Sequence, residues 1–143
     1  MPMPDKRAFL YLDAGPDVSP SAHAVAVPYP TAGSAAFETA RMVDAARNAN
    51  GEMVGRLVGR SSDKQTLGWH RIACADWWAM HRWFEDGHFT FYCHYFDHNT
   101  GVWRTRLFYL GDVRANPVHV DEATGVPAWY EDASFSVIDC GVV

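Results

Sequence analysis

The sequence predicts an α+β domain made mainly of antiparallel strands, a β-sandwich or barrel of about six or seven strands with one packed α-helix. Three observations predict it. His88 to Asp112 (HFTFYCHYFDHNTGVWRTRLFYLGD) is two runs of aromatic, β-branched and long side chains joined by the turn formers Asn99, Thr100 and Gly101, which is the pattern of a β-hairpin. Further short alternating runs recur along the chain between Gly, Pro, Asn and Asp. Only Cys74 to Asp86 is a good helix, with apolar residues at helical spacing and clear start and stop signals.

The hairpin is central because neither of its faces suits water. If Asp97 pairs with Val102, one face carries Phe89, Phe91, Cys93 and Tyr95 with Phe108 and Leu110 opposite. The other carries Tyr92, His94 and Phe96 with Trp103, Leu107 and Tyr109. A one-residue slip would exchange the faces but leave both apolar. At about 25 cal/mol per Å² and 150–250 Å² per aromatic ring, gross burial in this hairpin is on the order of ten kcal/mol.

The other elements follow in order. Residues 1–20 read as an N-terminal arm: Arg7–Asp13 has the character of one edge strand, but Pro2, Pro4, Pro16 and Pro20 flank it. The single β-rich domain then spans 21–143. His23–Tyr29 alternates small and apolar residues, and Pro28 confines it to a strand end or sheet edge. Ala35–Asn50 reads equally as a helix or as a strand running into an irregular loop, with Asn48-Ala49-Asn50-Gly51 as its stop. Glu52–Arg60 and Lys64–Ile72 read as a second hairpin across Ser61, Ser62 and Asp63. Gly55 and Gly59 flatten one of its faces for close approach by another backbone or subunit.

In the helix, Trp77, Met80, Trp83 and Phe84 share one broad side, Asp76 lies in the first turn and Gly87 stops it. After Asp112 the chain is turn-rich, Pro127–Glu131 pairs briefly, and Ala133–Cys140 closes the sheet.

Composition narrows the function. With 143 residues the chain is one domain. A formal net charge of −5 argues against a surface that neutralises nucleic-acid phosphates. Cys74, Cys93 and Cys140 are odd in number and widely spaced, which fits a reduced compartment better than a disulfide framework. No apolar run is long enough to cross a membrane as a helix, so folding in the cytoplasm is expected.

Catalytic signatures are weak. Cys93, His94, Asp97 and His98 are close in sequence, but adjacent strand residues face opposite ways, so the run makes no metal shell by itself. None of G-x-S-x-G, H-E-x-x-H, the P-loop or C-x-x-C is present. The basic residues Arg41, Arg47, Arg56, Arg60, Lys64 and Arg71 are interleaved with acids and nearly devoid of aromatic neighbours, so the stacking part of a nucleic-acid groove is missing. The expectation is a protein that is not an enzyme and uses no cofactor or metal.

Arg47-Asn48-Ala49-Asn50-Gly51-Glu52-Met53, then Arg56, Trp69, a helix, Tyr95-Phe96-Asp97 with Thr100-Gly101, Arg106 to Asp112 (RLFYLGD) and Ser136 to Asp139 (SVID) follow one another in this chain. In this order and spacing, over about Phe37 to Gly141, they resemble a family of small prophage structural proteins encoded in the tail modules of phages of Gram-positive hosts. The resemblance implies the tail-tube or distal-tail fold: two antiparallel sheets and one helix per subunit, and six subunits in a ring whose lumen passes DNA and holds the tape-measure protein.

It also implies that the Glu52–Ile72 hairpin lines the lumen, with neighbouring tail proteins such as the tape measure or baseplate hub as partners and the virion tail as location. Arg47, Asn50, Gly51, Arg56, Gly59 and Arg60 are then the expected oligomer-interface residues, while Tyr95, Asp97, Arg106 and Asp112 hold the aromatic hairpin. Three rivals remain: a head-to-tail connector ring, a monomeric ligand-binding barrel with Trp69, Trp103 and Tyr109 around a cavity, and a metal-dependent hydrolase using His94 and His98. The N-terminal arm and the segment Val25–Ser34 depart from shorter members of the family.

Overall fold

The structure is a computed structural model that describes residues 8–41, 43–47, 50, 51, 53–57 and 61–141, with 43–47 and 53–57 described as backbone. Seven strands form one antiparallel sheet in the order β2 (Val25–Pro28), β1 (Ala8–Asp13), β7 (Thr90–Asp97), β8 (Val102–Val118), β9 (Trp129–Asp139), β6 (Ser62–Ile72) and β3 (Ala36–Ala40). A separate two-stranded sheet joins β4 (Val43–Arg47) to β5 (Met53–Leu57), and α1 (Cys74–Glu85) connects β6 to β7. The predicted α+β class with mainly antiparallel strands is what the structure shows. The large sheet is not closed: among the described residues β2 and β3 are its two edges.

The aromatic hairpin has the expected register, Asp97 opposite Val102 and Phe91 opposite Phe108. Its inner face sends Phe91, Cys93, Tyr95 and Phe108 into the core, where all are at most 1% exposed. Phe89 is the exception to the expected face. It precedes the strand and is exposed, with its ring 5.8 Å from that of Tyr109. On the outer face His94 stacks on Trp103 with ring centroids 5.1 Å apart.

Helix α1 packs Trp77, Met80 and Phe84 against the inner face of the sheet. Phe135 on β9 is the hub, with ring centroids 5.5 Å from Trp69, 6.0 Å from Trp77 and 5.7 Å from Phe84. The helix ends because Gly87 adopts φ +79, a conformation that favours glycine, and the His88 N–H returns to the Phe84 carbonyl.

The sheet is strongly curled. Neighbouring strands lie roughly 4.8 Å apart, so β7 and β6, three steps away in the sheet, would be separated by about 14 Å if it were flat. Yet the Tyr95 hydroxyl on β7 meets Asp63 on β6, and the Phe37 ring on edge strand β3 lies 6.3 Å from that of Tyr95. The segment after β2 crosses to β6 as well: Thr31 N–H bonds the Gly68 carbonyl at 2.9 Å and Trp69 Nε1 donates to the Tyr29 carbonyl at 3.0 Å. Gly68 admits this crossing because a Cβ there would sit 2.9 Å from the Ser34 carbonyl oxygen.

Three expectations change. β1, read as part of an arm with one edge strand, lies second from the sheet edge with Leu10, Tyr11 and Leu12 fully buried. Residues 14–24 fold over its outer face, where Val18 joins Ala8 and Tyr11 in a small second core. The described residues of Ala35–Asn50 form two strands and no helix, since β3 finds β6 and β4 finds β5. Consequently β5 does not pair with β6 as the expected second hairpin required. β6 lies instead between β3 and β9, where eight of its residues have partners on β9.

Candidate assembly hairpin and the ionic cluster at its base

Asp63, Asp97 and Asp139 each continue a period-two row of core residues to the same end of the sheet. Asp63 follows Leu67 and Gln65, Asp97 follows Cys93 and Tyr95, and Asp139 follows Phe135 and Val137. All three are buried, at 3%, 6% and 4% exposure. Buried carboxylates require partners, and each has them.

Asp63 Oδ2 accepts from the Tyr95 hydroxyl at 2.5 Å and from Arg106 Nη1 at 3.2 Å, while its Oδ1 accepts from the Thr39 hydroxyl at 3.0 Å. The same Arg106 nitrogen lies 3.4 Å from Asp139 Oδ2, which also takes the Asp63 N–H at 3.4 Å. Asp139 Oδ1 caps the chain end by accepting from Gly141 N–H at 2.9 Å. One guanidinium thus joins two carboxylates, and burial followed by the bond to Asp63 pushes the Tyr95 phenol far above its ordinary range. Burial and then the nearby Asp139 charge push the Cys93 thiol up as well.

Asp97 forms a neighbouring pair with Arg104 Nε at 2.8 Å. Burial acts to raise its carboxyl, but the bonds from Arg104, Asn99 and Thr100 prevail and hold it below the usual carboxylate range. Asn99 also donates to the Thr39 hydroxyl at 2.8 Å, tying the β7–β8 turn to edge strand β3.

This cluster stands where the β4–β5 hairpin leaves the sheet. Ala40 at the end of β3 is the register partner of Ser62 at the start of β6, and β4 and β5 come between them in the chain. Within that hairpin Val43 pairs with Leu57, Asp44 with Arg56, Ala45 with Gly55, Ala46 with Val54 and Arg47 with Met53. By register Val43, Ala45, Arg47, Met53, Gly55 and Leu57 hold positions of one parity in the ladder, and Asp44, Ala46, Val54 and Arg56 those of the other.

Arg47 and Arg56 lie within this ladder, and Asn50 and Gly51 lie in its turn region, where Gly51 has φ +79. Gly59 and Arg60 lie outside the described residues. Of the residues expected to hold the aromatic hairpin, Tyr95, Asp97 and Arg106 do so through bonds within the subunit, whereas Asp112 is exposed beside the β8 irregularity between Leu110 and Val113.

The residues of the rival readings do not converge. Trp69 is buried inside the sheet at 4% exposure, while Trp103 and Tyr109 belong to its outer face, with Trp103 at 46%. Among the described residues, no group of three or more His, Cys, Asp or Glu is placed to hold a metal ion. Two depressions flank α1: one of about 650 Å³ along Trp78, His81, Arg82, Glu85 and Asp86, and one of about 260 Å³ between α1 and β2. Among the described residues, no helix is long and apolar enough to cross a membrane.

Asp63, Asp139 and Thr39 are the residues that sequence reasoning missed. Asp63 reads as a turn residue beside Ser61 and Ser62. The signal that finds it is parity, since it occupies the core-facing position two residues before Gln65 and four before Leu67. No protein-family model matches the chain, and no curated protein matches it significantly.

Proposed function

We propose that this chain is a structural subunit of a phage tail, of the tail-tube or distal-tail ring type, which assembles with copies of itself into a ring that conducts DNA. The observation that carries the reading is the β4–β5 hairpin, a two-stranded sheet that shares no strand pairing with the seven-stranded one among the described residues. Isolated two-stranded hairpins are marginal in water, so a hairpin of this kind gains its stability from a partner. A neighbouring subunit is the partner that the resemblance to tail proteins supplies.

Two further features support the same reading. Among the described residues the large sheet has β2 and β3 as its edges, and edge strands are ready-made sites for strand addition between subunits. The net charge of −5 suits a lumen through which DNA slides without adhering. In this role the hairpin takes the place expected of Glu52–Ile72, with Arg47, Asn50, Gly51 and Arg56 at the subunit contact. The tape-measure and hub proteins are the neighbours in the tail, and no chemistry is required of the subunit.

The test compares the intact chain with a variant in which Asn-Gly joins Ala40 directly to Ser62, a two-residue connection that suits an antiparallel pair. Negative-stain electron microscopy of the concentrated proteins is expected to show rings with a central hole for the intact chain and single folded subunits for the variant. Single subunits from both would overturn the ring. Rings from both would remove the hairpin from it.

A further inference from the structure

The polar cluster lies at the ends of β3 and β6 between which the chain forms β4 and β5. Thr39 is the last residue but one of β3, Asp63 is the second of β6, and the two are register partners immediately inside the Ala40–Ser62 pair. Their side chains are bonded to each other at 3.0 Å, and each is bonded again to a different part of the sheet. Asp63 is tied to Tyr95 on β7 and to Arg106 on β8, and Thr39 is tied to Asn99 in the β7–β8 turn.

A strand end at a sheet edge ordinarily frays, because few contacts hold it. This one is bonded to Asp63 on β6 and to Asn99 in the β7–β8 turn. Ionic groups buried this deeply cost desolvation energy, which apolar residues of similar size would avoid. Their placement therefore contributes geometry more than bulk stability. Core rings lie directly behind the cluster, with Phe108 at 5.0 Å from the Tyr95 ring, so the anchoring groups have little room to shift.

We infer that Thr39, Asp63, Tyr95 and Asn99 form a positioning clamp that fixes the base of the β4–β5 hairpin and presents it preformed to a neighbouring subunit. Preforming the element removes part of the ordering cost of association. The assembly half of this inference rests on the proposed ring, but the clamp itself is a property of the single subunit and is measured there.

The experiment is amide hydrogen exchange, followed by mass spectrometry, on dilute protein carrying Thr39→Val, which keeps the shape of the side chain and removes the hydroxyl that joins Asp63 to Asn99. Exchange in peptides covering Val43–Leu57 is expected to quicken about tenfold, the effect of losing roughly one hydrogen bond, while β7 and β8 keep their protection. Thr39→Ser, which restores the hydroxyl, is expected to return exchange to the original rate.

Unchanged exchange in Val43–Leu57 would overturn the clamp. So would an equal acceleration throughout the sheet, because the cluster would then merely stabilise the fold. If Thr39→Val loosens the hairpin alone and also raises the concentration needed for rings, clamp and ring stand together. If it loosens the hairpin and rings form as before, the clamp stands and the hairpin's part in the ring falls.

Discussion

The Tyr95 hydroxyl on β7 donates a 2.5 Å hydrogen bond to Asp63 on β6, although two strands lie between them in the sheet. That bond is possible only because the sheet curls, and the partly buried Arg106 guanidinium beside it shows what the curl encloses at this end. Removing the phenol oxygen leaves Asp63 one donor short in a buried setting. Tyr95→Phe is therefore expected to lower stability by about 1–3 kcal/mol in urea unfolding, with an unchanged far-ultraviolet spectrum. In a spectrophotometric alkaline titration of the folded protein, Tyr95 should ionise only well above the ordinary phenol range.

Arg106 and Arg104 offer a comparison between two ion pairs in one hairpin. Arg106 is 22% exposed and serves both Asp63 and Asp139, whereas Arg104 is 37% exposed and serves Asp97. Arg106→Met leaves two buried carboxylates without their cation and is expected to cost about 3–5 kcal/mol. Arg104→Met is expected to cost about 1 kcal/mol, since solvent reaches that guanidinium. Equal losses in denaturant titrations would place the two arginines in equivalent environments and contradict the cluster as described.

Gly68 is the glycine whose missing side chain the fold uses most directly. A methyl group there would lie 2.9 Å from the Ser34 carbonyl oxygen and 3.1 Å from Ser34 Cβ. Gly68→Ala must push the 29–34 crossing away from β6, straining the bonds from Thr31 N–H and Trp69 Nε1. A loss of about 1–3 kcal/mol follows from overpacking of this kind. Gly15→Ala is the control, since nothing lies within 4 Å of the added methyl group, and it should leave the melting temperature nearly unchanged.

The three cysteines differ in access. Cys93 is fully buried between strands, and burial followed by the Asp139 charge raises its thiol pKa, so it is a poor nucleophile in the folded state. Cys74 and Cys140 are partly exposed. A thiol-specific chromogenic reagent should therefore modify at most two cysteines per native chain and the third only on addition of denaturant. Prompt reaction of all three would contradict the buried position of Cys93.

The legibility of the sequence varied with how local the cause of each feature is. The aromatic hairpin and its register were readable because Asn99-Thr100-Gly101 and the alternation around it lie within one stretch of chain. Helix α1 was readable for the same reason, with Trp77, Met80 and Phe84 at helical spacing before Gly87. β1 was misread because its prolines argue for an arm, while the burial of Leu10 and Leu12 comes from β7, some eighty residues later. The partner of β5 was misread because a pairing with β4 or β6 satisfies local preference equally, and β9 is what claims β6. The ionic cluster was legible only as parity: a carboxylate at a core-facing position implies a buried partner, but which partner depends on the curl of the sheet.

His81 supplies the pH dependence of the fold. Its ring lies among those of Trp77, Phe84 and Phe135, with centroids at 4.2, 5.3 and 5.4 Å, and its Nε2 is buried without a hydrogen-bond partner. Burial lowers its pKa from the ordinary 6.5 to about 4. Between those values the unfolded chain takes up a proton that the folded protein refuses, so stability falls as pH drops from about 6.5 to about 4 and is fully present above that window. Burial lowers His94 as well, and it adds to the slope in the same direction. Asp97, held low, retains its contribution until more acid conditions. Calorimetric melting temperatures from pH 4 to 8 should therefore decline on the acid side, and His81→Leu, which places an apolar group among the rings, should flatten that decline without lowering the plateau at pH 8. Curves for the two proteins that stay parallel across the window would mean that His81 titrates as freely in the folded state as in the unfolded one.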